Sequence, residues 1–179
     1  MTTIGITGTR LTGVLRLNWV YNNLAHVLND SQTNETSGTW TGLACPAHGL
    51  PLGTDVDNAT LRRLAVQGQI ADLTWEAPAD LTAEHAQAFE SAIQAYNAAD
   101  TEHAEQLWKN VQAIWSQAWS ANHAALEFLQ HTGLTGFLPA KPQQWVIASF
   151  EHHTSSHGLP RPHIHNIVIP ALTTTAKPR

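Results

Sequence analysis

Two apolar runs, Trp145 to Phe150 and Ile164 to Ile169, bracket the His-rich stretch HHTSSHGLPRPHIH from His152 to His165. Short apolar runs bounded by turn residues read as buried strands, here joined by a polar hairpin. Antiparallel pairing brings His152, at the end of one strand, to His163, at the start of the other. His163 and His165 are two apart, and residues i and i+2 of a strand point to the same face. Two imidazoles on one face, with a third donated from His152, can fill three positions around one divalent metal. Neutral imidazole nitrogens suit Zn, Mn, Fe, Co or Ni, and three protein ligands leave positions open for substrate oxygens. The same residues also describe a surface hairpin that happens to be rich in histidine, and a short motif alone does not separate the two. His153 and His157 are further candidates, read as solvated or as neighbours of the ligands.

A His-apolar-His pair running into a hydrophobic strand points to metal-assisted phosphoryl transfer on DNA. The rest of the chain sets the context. Leu15 to Leu28 is apolar at Leu17, Val20, Tyr21, Leu24, Val27 and Leu28, which is helical spacing. Asn29 to Gly38 is a polar loop, and Gly38 to Leu50 is turns and short pieces. Thr54, Asp55, Asp57 and Asn58 offer caps for a short helix through Leu61, Leu64 and Val66. Gln69 to Trp75 alternates as a strand. Thr82 to Leu129 is helical in two segments, about Ala83 to Ala98 and Thr101 to Leu129, with Asp100 capping the second. Trp108, Val111, Ile114, Trp115, Ala118, Trp119 and Asn122 hold a repeating 3-4 spacing.

Length and charge narrow the function. The 179 residues suit one domain, 1–179, with a sizeable core, and residues 171–179 are expected to form a flexible tail. No apolar run reaches the roughly eighteen residues of a membrane span, so no membrane insertion is expected. The N-terminus lacks a basic region followed by an apolar core, and the single cysteine, Cys45, forbids an internal disulfide. A cytoplasmic setting is expected. The net charge is −5 with nine Lys and Arg, which argues against generic nucleic-acid affinity. Trp can stack bases, but core packing is its ordinary role, and Trp40 and Trp75 are read as packing.

Phe150-Glu151-His152-His153-Thr154-Ser155-Ser156, followed by Pro162-His163-Ile164-His165, resembles the three-histidine motif of HUH endonucleases. More closely, it is similar to the F-plasmid class of conjugative relaxases, where Pro-x-Leu-His-Thr-His precedes a Val-rich strand. Three further segments agree in the same order. Gly38-Thr39-Trp40-Thr41-Gly42-Leu43-Ala44, then His48-Gly49-Leu50, resembles that class's Gly-x-Trp-x-Gly-x-Ala block. Ala71-Asp72-Leu73-Thr74-Trp75-Glu76-Ala77-Pro78 resembles its Asp-Leu-Thr-Phe-Ser-Ala-Pro-Lys block. Val111 to Leu129 is similar to its long helix before the metal strands. The resemblance covers Tyr21 to Ile169.

The resemblance implies an α+β fold, a mostly antiparallel central sheet with long helices packed on it. It implies metal-dependent nicking and rejoining of single-stranded DNA at a transfer origin, with other transfer-complex proteins as further partners. It implies one divalent ion (Mg, Mn, Zn or Ni) on His152, His163 and His165. Tyr21, upstream of the Gly-x-Trp block, takes the nucleophile's position, and Tyr96 falls in the first long helix as packing. Asp72 takes the position that orients a histidine or accepts the tyrosine proton. Arg161 is the expected phosphate contact. Three departures stand out: one tyrosine in place of the family's pairs, Ala79 in place of its Lys, and Ser156 in place of its Arg. The chain also stops about ten residues past Ile169, where the family continues. Two other readings stay open, a truncated non-catalytic metal- or DNA-binding relative and a rolling-circle replication initiator. The initiator's tyrosine usually follows the His motif, and none follows here.

Overall fold

The computed structural model describes residues 6–11, 38–65, 70–132, 141–154 and 160–170. The expected helix Leu15–Leu28 with Tyr21, the loop 29–37, His157 and the tail 171–179 lie outside the described residues. Among the described residues, five strands form one sheet: β1 (Ile6–Leu11), β2 (Thr39–Trp40), β3 (Ile70–Glu76), β4 (Trp145–Thr154) and β5 (Pro160–Pro170). Their spatial order is β1-β3-β5-β4-β2, and each neighbouring pair is antiparallel. The helices are α1 (Asn58–Ala65), α2 (Ala79–Asn97) and α3 (Thr101–Thr132). The fold is the expected α+β arrangement.

Strand alternation assigns every central side chain to one of two faces. On the first face Ala71, Leu73 and Trp75 of β3 join Trp145 and Ile147 of β4 and Ile164 and Val168 of β5. They pack against Val111, Trp115, Ala118 and Leu126 of α3. Those α3 residues lie on the stripe its 3-4 spacing predicts, along a helix of 32 residues, about 48 Å. On the second face Val146, Ala148, Phe150, Ile167 and Ile169 pack with Trp40, Leu61 and Leu64. Trp40 and Trp75 are 2% and 1% exposed, so both are packing residues.

A buried polar network ties the helix layer to the sheet. Asn166 Nδ2 donates to Leu73 O and to Asn122 Oδ1, each at 2.8 Å. Its Oδ1 accepts from Ser149 Oγ at 2.7 Å and from Asn122 Nδ2 at 3.1 Å. Asn166, Asn122 and Ser149 are fully buried. A one-residue slip of β5 would move Asn166 to the wrong face and strand these groups.

The Gly-x-Trp-x-Gly segment lies tight against β4. A Cβ on Gly42 would stand 2.4 Å from Trp145 O and 2.5 Å from Ile147 N, and one on Gly38 would meet the Phe150 ring. The missing side chains allow that approach.

Several expectations are corrected. β4 and β5 run well past the apolar segments, pairing as far as Thr154 and Pro160, with a register irregularity between His152 and Thr154. His152 therefore sits within β4, because ladder bonds continue where the apolar pattern stops. β1 has no counterpart in the sequence pattern; Thr7, Gly8 and Thr9 dilute its alternation, and pairing with β3 makes it a strand. α2 begins at Ala79, directly after Pro78, with Asp80 in its first turn. Tyr96 is 68% exposed rather than packed, since the phase of α2 turns it to solvent. The expected caps form: Asp57 Oδ1 accepts from Thr60 N at 2.8 Å, and Asp100 Oδ1 from His103 N at 3.2 Å.

Candidate metal centre

The second face changes character toward the hairpin end of the sheet. Its apolar rows, Val146-Ala148-Phe150 on β4 and Ile169-Ile167 on β5, give way to His152, His165 and His163. His152 is directly opposite His163, and Phe150 is opposite His165. β3 adds Asp72 opposite Ile167, Thr74 opposite His165 and Glu76 opposite His163. These residues all share one face by alternation.

The three imidazoles form a compact triangle. The ring centroids of His152 lie 5.2 Å from His163 and 5.0 Å from His165, and the latter two are 5.0 Å apart. One nitrogen from each falls within 4.8 Å of the others. Among the described residues no other group of three His, Cys, Asp or Glu side chains meets that spacing.

Hydrogen bonds set the tautomers of two rings. His165 Nδ1 is 2.7 Å from Asp72 Oδ2 and 3.3 Å from Thr74 Oγ1. A carboxylate accepts, so the proton is on Nδ1 and the lone pair on Nε2. His163 Nδ1 is 2.6 Å from the Arg161 carbonyl, which also only accepts. The same assignment follows. Carboxylate- and carbonyl-held imidazoles are the usual outer support of metal ligands. Burial pushes His163 below the usual histidine range, and the neighbouring His165 and Arg161 add to this, against the pull of the Arg161 carbonyl. A neutral ring is the form that ligates. The donor set thus fits one divalent transition metal.

The sheet places the predicted residues unequally. It brings His152, His163, His165 and Asp72 together. Asp72 is 7% exposed and lies under His165, placed to hold that ring. Arg161 sits at the rim, its Nη2 donating to Glu76 Oε1 at 2.7 Å. Tyr21 and the side chain of His153 lie outside the described residues. Thr74 and Glu76 were not among the candidates, although both follow Asp72 at strand spacing on the same face. Behind the site, Trp119 of α3 donates its indole N–H to Glu151 and so ties the helix to β4 beside His152.

The sheet, with its helix layer on one face and the triad on the other, is similar in fold to solved structures of a conjugative relaxase. Solved structures that it resembles include those of the relaxase TrwC. The copper-bound TrwC complex with oriT DNA aligns with a TM-score of 0.54 at 19% identity, covering 92% of this chain and 57% of that one. The metal-free complex with oriT DNA gives 0.53 at 18%, covering 92% and 56%. TrwC with a 27-mer comprising the recognition hairpin and the cleavage site gives 0.51 at 18%, covering 92% and 55%. The chain thus spans just over half the length of these TrwC chains, and the likeness is one of fold. No family model and no curated protein matches the sequence. Among the described residues no helix is long and apolar enough to cross a membrane.

Proposed function

We propose that this chain nicks and rejoins single-stranded DNA at a transfer origin, using a metal centre on His152, His163 and His165. The observation that carries the reading is the imidazole triangle, with two rings held through Nδ1, on a sheet of the TrwC type. Three nitrogen donors favour Mn, Zn or Ni over Mg. When bound, the ion would polarise the scissile phosphate and offset its developing charge.

The chain's own residues supply the rest. Tyr21 is the nucleophile: its oxygen forms a bond to phosphorus while the bond to the 3′ oxygen breaks. The products are a 5′-phosphotyrosine and a free 3′ hydroxyl, and the reverse attack rejoins the strand. The phenolic proton leaves to a base or to water. Asp72 acts as a positioning residue for His165, since its buried carboxylate is already committed to that ring. Arg161 contacts a phosphate next to the triad. The setting is cytoplasmic, and other transfer proteins are the expected further partners.

The test uses metal-loaded protein and single-stranded oligonucleotides tiling the DNA that flanks the gene. A covalent protein–DNA adduct is expected from the wild type and from Tyr96→Phe, and none from Tyr21→Phe. An adduct that survives Tyr21→Phe and is lost in Tyr96→Phe moves the nucleophile. Stoichiometric metal with no adduct on any tile supports the non-catalytic alternative.

A further inference from the structure

Among the described residues, Arg161 is the one Lys or Arg on the sheet with a described side chain. It precedes His163 by two residues on β5, so alternation puts it on the triad's face. Its guanidinium is held by Glu76, at 2.7 Å, and Glu76 stands opposite His163 in the β3–β5 register. Both side chains are about half exposed, 53% and 43%, so the pair lies at the solvent-facing rim. Among the described side chains, the sheet cation beside the triad is thus occupied by the protein's own carboxylate.

We propose that Glu76 is an internal competitor of the DNA phosphodiester for Arg161. The inference rests on the single-stranded DNA reading of this site. A carboxylate and a phosphate present the same acceptor geometry to a guanidinium. An exposed pair of this kind is weak enough to exchange. In the free protein Glu76 holds Arg161; on binding, the phosphate takes its place and Glu76 is left to solvent and counter-ions. The exchange has a distinct salt signature. A free arginine that meets a phosphate releases a counter-ion from the DNA. An arginine that brings its carboxylate partner with it adds no net positive charge to the face that meets the DNA, so it contributes little to that release. Wild-type binding is therefore weak, and its salt slope lacks the contribution of Arg161.

The experiment measures binding of a labelled single-stranded oligonucleotide of mixed sequence across a salt series, with Mn present. The proteins are wild type, Glu76→Gln, Arg161→Gln and the double variant. Metal stoichiometry is measured in each, so a folding defect is seen separately. Glu76→Gln is expected to bind roughly two- to fivefold tighter. Its log–log salt slope is expected to be steeper by about 0.7. In the Arg161→Gln background the same change is expected to give no steepening and little tightening. A gain that persists there is general charge removal and overturns the competition. Unchanged or weaker binding by Glu76→Gln, with the wild type still binding, overturns it and leaves the DNA reading standing. No binding by any variant at low salt, with metal in place, overturns both.

Discussion

At the scale of single residues, the triad depends on what lies behind each ring. Asp72→Ala removes the carboxylate that fixes the tautomer of His165. Metal affinity is expected to fall about 10- to 100-fold, read by calorimetric titration with Mn or Zn. Unchanged affinity would remove Asp72 from the site. His163 and His165 were readable because strand spacing is local: i and i+2 share a face whatever the fold. His152 followed from the antiparallel pairing of the two apolar runs, and Asp72 from the family resemblance alone. Their partners were not, because Thr74 meets His165 and Glu76 meets Arg161 only through the β3–β5 register, which joins segments some 90 residues apart in sequence. Cys45 offers a separate check. Burial pushes its thiol above the usual cysteine range, and its Sγ lies 3.7 Å from the Ile147 carbonyl. The unfolded chain gives up this proton first as pH rises. The stability it contributes is present below the unfolded value and lost as pH climbs from there through the raised folded value. Urea midpoints between neutral and strongly alkaline pH should fall more for wild type than for Cys45→Ala; equal falls would contradict the burial argument.

At the scale of elements, the polar contacts between α3 and the sheet fix where the histidines point. Asn166→Ala leaves buried groups on Asn122, Ser149 and Leu73 short of partners. A loss of at least about 2 kcal/mol is expected from chemical unfolding, at about 1–3 kcal/mol per unsatisfied group. The α2–α3 turn places Ala99 at φ 60, and Ala99 N donates to Tyr96 O at 3.0 Å. Ala99→Gly is expected to stabilise the protein by about 0.5–1 kcal/mol, because a side chain in the left-handed region is strained. A destabilised variant would mean that the turn relaxes without cost. The two long helices were legible from their period and from the cap at Asp100. β1 was not, since a six-residue segment with Gly8 at its centre becomes a strand only by lying along β3. The exposure of Tyr96 was equally hidden, because the phase of α2 is set by its packing against α3.

At the scale of the whole molecule, charge and fold pull in different directions. The fold is that of TrwC structures solved with oriT DNA. The chain nevertheless carries −5, and the one sheet cation with a described side chain is paired. Binding to single-stranded DNA should be weak and shallow in salt, at about −0.7 per phosphate neutralised, and duplex binding weaker still. A steep slope from the wild-type chain would show positive charge gathered at the site despite the net balance. In the proposed reaction the triangle of His152, His163 and His165 would hold the metal that polarises the scissile phosphate, and Tyr21 would attack it. The most direct measurement is cleavage of end-labelled single-stranded DNA from the flanking sequence, with metal content determined on the same samples. The wild type is expected to hold one ion per chain, with cleavage abolished by chelation and restored by Mn. In His163→Ala and His165→Ala both the ion and the cleavage should be lost while the fold is kept. Cleavage that survives in metal-free, folded His165→Ala protein would contradict this role for the triad.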